Sequence, residues 1–287
     1  MKSSHKKHIV ETLKWLVGGL ILSYCLFPVL WLIICSFKPK AELYQLPIRY
    51  LPKAPTLQAY LDIFTPGTQS SEAMLWQNNL WNSLVVAGIS TVFVISLGAL
   101  AGYGFSRFKF KGSALMLTLL MMSRMLPGPA LMLPIYMMVS RIGLIDTRIG
   151  LILVHTVFGL PLGAILCSSF IRAVPVELEE AAIVDGCSRL QVFLKIVIPL
   201  AWIGIASVGI FHFVGSWSEF AFASVLLESQ KLRTAPIGLA QFVFQFGNAQ
   251  FNRIGAASVT MALPITVLFM LVQKHFVRGL VAGGVKE

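Results

Sequence analysis

The chain has 287 residues, 56% hydrophobic and only 12% charged, with mean hydropathy +0.79, whereas soluble domains carry about 25% charged residues. A water-soluble globular protein is excluded. The net charge of +11 does not mark a nucleic-acid binder, because the cations gather at the ends of apolar runs, as they do at membrane surfaces, and no basic stripe is interleaved with aromatics.

Six apolar runs are long enough to span a hydrocarbon core, which takes about 20 helical residues: Leu13–Phe37, Leu84–Phe105, Ala114–Val139, Ile149–Ile171, Ile196–Trp217 and Gly255–Val277. Lipid offers no hydrogen bonds to an open backbone, so the runs are expected to be helices and the fold class all-α. Residues 1–12 form an N-terminal tail ahead of the first span, 13–37. That span is too long for a signal-peptide core and lacks a small-x-small cleavage site, so it is read as retained. The linking segment 38–79 is proline-rich, as in "KPKAELYQLPIRYLPKAPTL", and reads as extended or turn-rich. A core at 80–277 holds the other five spans, and 278–287 form a C-terminal tail.

With the N-terminus inside, thirteen Lys and Arg fall on the inner side and nine on the outer, and the short loop "RFKFKG" carries three cations and no acid. Both termini are therefore expected in the cytoplasm. The third run contains "SRMLPGPALMLP", in which Pro127, Pro129 and Pro134 each remove a backbone donor and are expected to kink or break the helix. A broken span survives only where protein or a water-filled cavity satisfies the freed carbonyls, so this span is expected to face other helices. Arg124 within it reads either as a functional residue or as a structural arginine bound to carbonyls.

Between the fourth and fifth spans lies "VPVELEEAAIVDGCSRLQVFLKIVIPL". Pro175 opens a helix, and Glu177, Glu179 and Glu180 lie near the positive end of its dipole. Ala181 and Ala182 let another backbone approach closely, and Gly186 is suited to end the helix in a left-handed conformation. The expectation is a stub of about two turns at about 175–187, with small residues ringed by carboxylates. Beyond the fifth span, the loop 218–254 is apolar and aromatic enough to be partly ordered. The four cysteines have neither metal-ligand spacing nor a disulfide framework.

Glu180-Ala181-Ala182, Gly186 after three residues, then Ile196, Ile198 and Pro199 after nine more resemble the signature EAA-x3-G-x9-I-x-L-P of membrane subunits of binding-protein-dependent ABC importers, with Ile198 in place of Leu. From Asn82 onward, "NSLVVA", "GFSRFKFKG" and "FVRGLVAGGVK" are similar to the carbohydrate group, especially the smaller permease of maltose-type systems. "SWSEF" departs from that group by carrying Ser218 for Asn.

The resemblance implies a type I importer permease in the cytoplasmic membrane of a bacterium or archaeon. It implies a second permease as heterodimer partner, two ATPase subunits binding ATP and Mg, and an extracytoplasmic solute-binding protein. Glu180, Ala181, Ala182, Asp185, Gly186, Ile196 and Pro199 would then couple to an ATPase, and the solute would be a sugar or polyol. Candidate solute contacts are Asn82, Trp217 and Phe220. No G-x-x-x-x-G-K-[ST] occurs, so this chain is expected to bind no cofactor and to hydrolyse no ATP. An importer for a non-sugar solute is the alternative. An ion-coupled transporter would have to use His155, His212 and Arg124, with Glu219 just beyond the fifth span. A membrane enzyme would need an acid or nucleophile cluster other than the one in the stub.

Overall fold

A computed structural model describes residues 2–65, 72–108, 110–246 and 250–284 of the chain. Every regular element among them is a helix: α1 (Lys2–Ser36), α2 (Gln58–Phe64), α3 (Glu72–Arg107), α4 (Ser113–Ser123), α5 (Gly128–Arg141), α6 (Arg148–Arg172), α7 (Val176–Val184), α8 (Arg189–Val192), α9 (Ile198–Trp217), α10 (Ala221–Leu226), α11 (Ala235–Phe246) and α12 (Phe251–Gly284), with a π-helical turn over Phe193–Val197 and two short 3-10 turns. Five stretches are long and apolar enough to cross a membrane: Glu11–Ser36, Trp76–Arg107, Arg148–Arg172, Arg189–Trp217 and Phe251–Leu271. A sixth pairs α4 with α5 across a 101° bend.

That bend lies in the proline-rich run. Pro127 is the N-cap of α5, and Pro129 falls in its first turn, where a missing N–H costs nothing. Pro134 lies inside α5 without ending it, so the break belongs to the Arg124–Pro127 segment alone. This span faces other helices on one side, α4 lying against α6 and α5 against α10. No residue of α4 is buried, and α5 buries only Val139.

The segment after the first span also departs from expectation. α3 begins at Glu72, before the expected end of the linking loop at Asn79, and Trp76 is buried. Of the segment "QFVFQFGNAQ", residues 247–249 lie outside the described residues, as do Lys109 of "RFKFKG" and the last three residues of the chain. The backbone of α12 continues to Gly284, past the expected start of a tail at 278.

The chain forms two compact units. One comprises Met1–Met74 and Leu239–Leu263, the other Leu75–Gly238 and Pro264–Glu287. In the first, α1 and α12 cross backbone to backbone, since a Cβ at Gly255 would meet the Leu32 carbonyl oxygen at 2.7 Å. The polar stretch after α1 is held by specific bonds: Lys38 Nζ donates to the Arg49 carbonyl (2.5 Å), and Arg253 pairs with Asp62 (2.8 Å).

The second unit has two apolar cores. One gathers Ala99, Tyr103, Cys167, Ile171, Ala182, Val192, Phe193, Val197 and Ala201, and so joins α3, α6, α7, α8, the π turn and α9. The other joins α3, α5, α6, α10 and the start of α11. α3 and α6 pack closely because glycines line their crossing, and a Cβ at Gly102 would lie 2.7 Å from the Ser168 backbone nitrogen.

Candidate functional site

The expected stub is α7. Pro175 is its N-cap, Glu177 and Glu179 lie in its first turn, and Asp185 is its C-cap. Gly186 adopts φ +89°, the left-handed conformation that favours glycine. The Gly186 N–H donates to the Ile183 carbonyl (3.0 Å) and the Cys187 N–H to the Ala182 carbonyl (2.9 Å), the paired closure of a Schellman motif. Ser188 and Gln191 then form a capping box that starts α8. The chain thus leaves one helix and enters the next in a fixed geometry.

The carboxylates do not form an even ring. Glu179 turns inward: Arg107 Nε donates to its Oε1 at 2.6 Å, and the Tyr103 hydroxyl donates to Oε2 at 3.1 Å. The pair is nearly dry, with side-chain exposures of 9% and 6%. Arg107 Nη2 also donates to the Ile171 and Val174 carbonyls, satisfying acceptors at the end of α6. One guanidinium therefore ties α3, α6 and α7 together.

Ala182 faces inward: it is 8% exposed and belongs to the chain's own core, where its small side chain lets α7 lie close. The outward face carries Glu177, Glu180, Ala181 and Asp185. With them stand the exposed apolar residues Val176, Leu178, Ile183 and Val184, Val184 at 85%. An apolar patch edged by acids is thus presented to the surroundings.

Ile196 and Pro199 flank the end of the π turn. Pro199 cannot donate to the Lys195 carbonyl, and its ring crowds that carbonyl. One residue earlier the Ile198 N–H donates to the Phe193 carbonyl, the wider i to i−5 pattern. Ile196 is half-buried against the core that holds Ala182. These two residues set the register between stub and span and do not themselves form the outward face.

Two of the candidate solute contacts are buried within the chain. Asn82 is 0% exposed. Its Nδ2 donates to the Lys231 and Arg233 carbonyls, while Oδ1 accepts from Arg148 Nε, so it is a structural tie across α3, α6 and the segment before α11. Trp217 is 1% exposed and stacks on Phe213 at 5.8 Å. Phe220 alone remains exposed.

Sequence reasoning missed the roles of Arg107 and Tyr103. The only signal was their position in the "GYGFSR" end of a span, and nothing local pairs them with Glu179, 72 and 76 residues away. Arg124 donates to the Phe158 carbonyl at 2.9 Å. It lines a cavity with His155 and His212.

The family model of binding-protein-dependent transport system inner membrane components matches residues 94–281. A sulfoquinovosyl glycerol transport system permease protein of Agrobacterium fabrum is 34% identical over 276 residues, covering 96% of this chain and 94% of that protein. A trehalose transport system permease protein of Mycobacterium tuberculosis is 33% identical over 271 residues, covering 93% and 94%. The likeness therefore extends through the first span. Among solved structures, a chain of a bacterial ABC transporter involved in the import of the acidic polysaccharide alginate superposes with TM-score 0.82 at 20% identity, covering 94% of this chain and 98% of that one. That match establishes the fold.

Proposed function

The chain belongs to the family of binding-protein-dependent transport system inner membrane components, and from that membership we propose that it forms half of the translocation pathway of an ATP-driven importer for a saccharide or related polyol, coupled through α7 to a cytoplasmic ATPase subunit. The second half is a different permease chain, two separate ATPase subunits bind ATP and Mg, and a solute-binding protein delivers the cargo from outside. The sugar assignment is supported by relatives that carry sulfoquinovosyl glycerol and trehalose in their names.

One observation carries the coupling role. The inner face of α7 is fastened to α3 and α6 by the Arg107–Glu179 pair, while its outer face exposes Glu180 and Val184. A helix fixed on one side and open on the other transmits displacement as a rigid lever. Closure of the ATPase dimer around ATP would draw α7 with it, and the buried ion pair and the π turn would pass that motion to the spans. This is a rigid-body transition biased by contacts that differ between two states.

The test is reconstitution into liposomes with the second permease, the ATPase subunits and the binding protein. Saccharide uptake is expected to require ATP, and Glu180→Lys is expected to reduce it by reversing the charge offered to the ATPase. Uptake that proceeds without ATPase subunits would identify an ion-coupled transporter instead. ATP-driven uptake confined to non-sugar solutes would keep the importer and overturn the cargo.

A further inference from the structure

Within the second unit, a cavity of about 220 Å³ opens between the α4–α5 break, α6 and α9. Polar groups line it at a depth where spans are otherwise apolar. The Ser216 hydroxyl contacts His155 Nδ1 (2.5 Å) and Ser90 Oγ (3.3 Å), Ser90 contacts His212 Nε2 (3.2 Å), and His155 Nε2 meets Glu219 Oε2 (3.3 Å). Glu219 in turn accepts the backbone N–H groups of Phe222 and Ala223.

The chain Ser90, Ser216, His155 and Glu219 uses its capacity internally and fixes the wall. His212 is seated against Gly159, where a Cβ would lie 2.4 Å from its ring. Arg124 is different. It spends one of its five N–H donors on the Phe158 carbonyl, and among the described residues it is in no ion pair. Beside it, Phe158 and Phe222 stand with ring centroids 4.9 Å apart and form an aromatic wall.

We propose that this cavity is a saccharide-contacting station carried by this subunit itself, with Arg124 donating to sugar oxygens and the Phe158–Phe222 wall covering the apolar face of one ring. The inference rests on the importer reading. The spare donors of Arg124 call for a ligand that carries oxygen acceptors, which hydroxyl, ring-ether and carboxylate oxygens all supply. The volume lies below the roughly 300–1,000 Å³ of drug-sized ligand sites, so the station takes one ring of a longer solute at a time. Intramembrane cations beside a cavity commonly mark solute pathways, and aromatic faces suit the C–H faces of sugars.

The test measures labelled uptake per ATP hydrolysed in the complete reconstituted importer. The panel comprises trehalose, maltose, an arabino-oligosaccharide and a uronate disaccharide, and wild type is compared with Arg124→Gln, Arg124→Lys and Gly159→Ala. Copurification with the ATPase subunits confirms assembly, and Arg124→Lys, which keeps the charge, carries the test if Arg124→Gln does not assemble. For whichever saccharide wild type transports, uptake per ATP is expected to fall about tenfold or more when the charged fork is lost. Gly159→Ala, which pushes His212 into the cavity, is expected to reduce it as well. A larger loss for the uronate than for neutral sugars would identify a carboxylate as the group bound, and an equal loss would identify hydroxyls. Unchanged uptake per ATP in the arginine variants would overturn the station while leaving the importer intact. ATP hydrolysis without uptake of any saccharide by wild type would overturn the sugar reading and the station together.

Discussion

Glu179 and Glu180 are neighbours in sequence and opposites in environment. Removing one partner of a buried ion pair leaves the other charge stranded, at a cost of about 3–5 kcal/mol. Arg107→Ala is therefore expected to lower the melting temperature of the solubilised protein sharply, while the exposed Glu180→Ala leaves it nearly unchanged. Asp146 supports a loop in a similar local way. It adopts φ +56° and its carboxylate accepts the Glu228 and Ser229 N–H groups and the Ser229 hydroxyl. The Ser229 bonds hold its pKa below the usual carboxylate value of 3.8, against the opposing effect of burial. A lowered folded-state value means stability that is present above 3.8 and lost as pH falls through the folded value. Melting followed downward from pH 5 is expected to show an acid loss that Asp146→Asn removes. Gly186 was legible in the sequence because a helix stop is local chemistry. Asn82 was not, because its acceptors are main-chain carbonyls 149 and 151 residues away, and no local pattern announces such partners.

The spans were readable because apolar length is the property lipid selects. Their packing was less so. The glycines of α3 read as ordinary membrane residues until α6 lies across them, and Gly102→Val is expected to cost about 1–3 kcal/mol through overpacking against the Ser168 backbone, measured as a lower melting temperature with membrane insertion retained. Pro199 carries a finer signal. Its replacement by Ala restores a donor to the Lys195 carbonyl and favours an ordinary α-turn over the π turn. Removing one residue from the turn count rotates α8 by about 100° relative to α9. Pro199→Ala is therefore expected to fold and insert but to lose ATP-driven uptake, whereas unchanged uptake would show that the register is not transmitted. The bend between α4 and α5 was half legible: the prolines pointed to a break, but only the structure separates Pro127, which marks it, from Pro129 and Pro134, which fit within a helix.

At the scale of the whole molecule, carbonyls freed at the α4–α5 break need protein or water, and in the proposed assembly the second permease would cover the open α4 and α5 faces. The orientation expected from the Lys and Arg distribution predicts thiol reactivity. Ser188→Cys, in a chain with Cys187 replaced, is expected to react with an impermeant thiol reagent only from the inside of the membrane, and Lys231→Cys only from outside. The most direct measurement of the central claim is hydrogen exchange over residues 176–187, comparing the paired permease chains alone with the complete complex. If α7 is the coupling element, its amides gain protection when the ATPase subunits bind and Glu180→Lys reduces that gain. Exchange at 176–187 that is the same with and without the ATPase subunits, in a complex shown to be assembled, would contradict it.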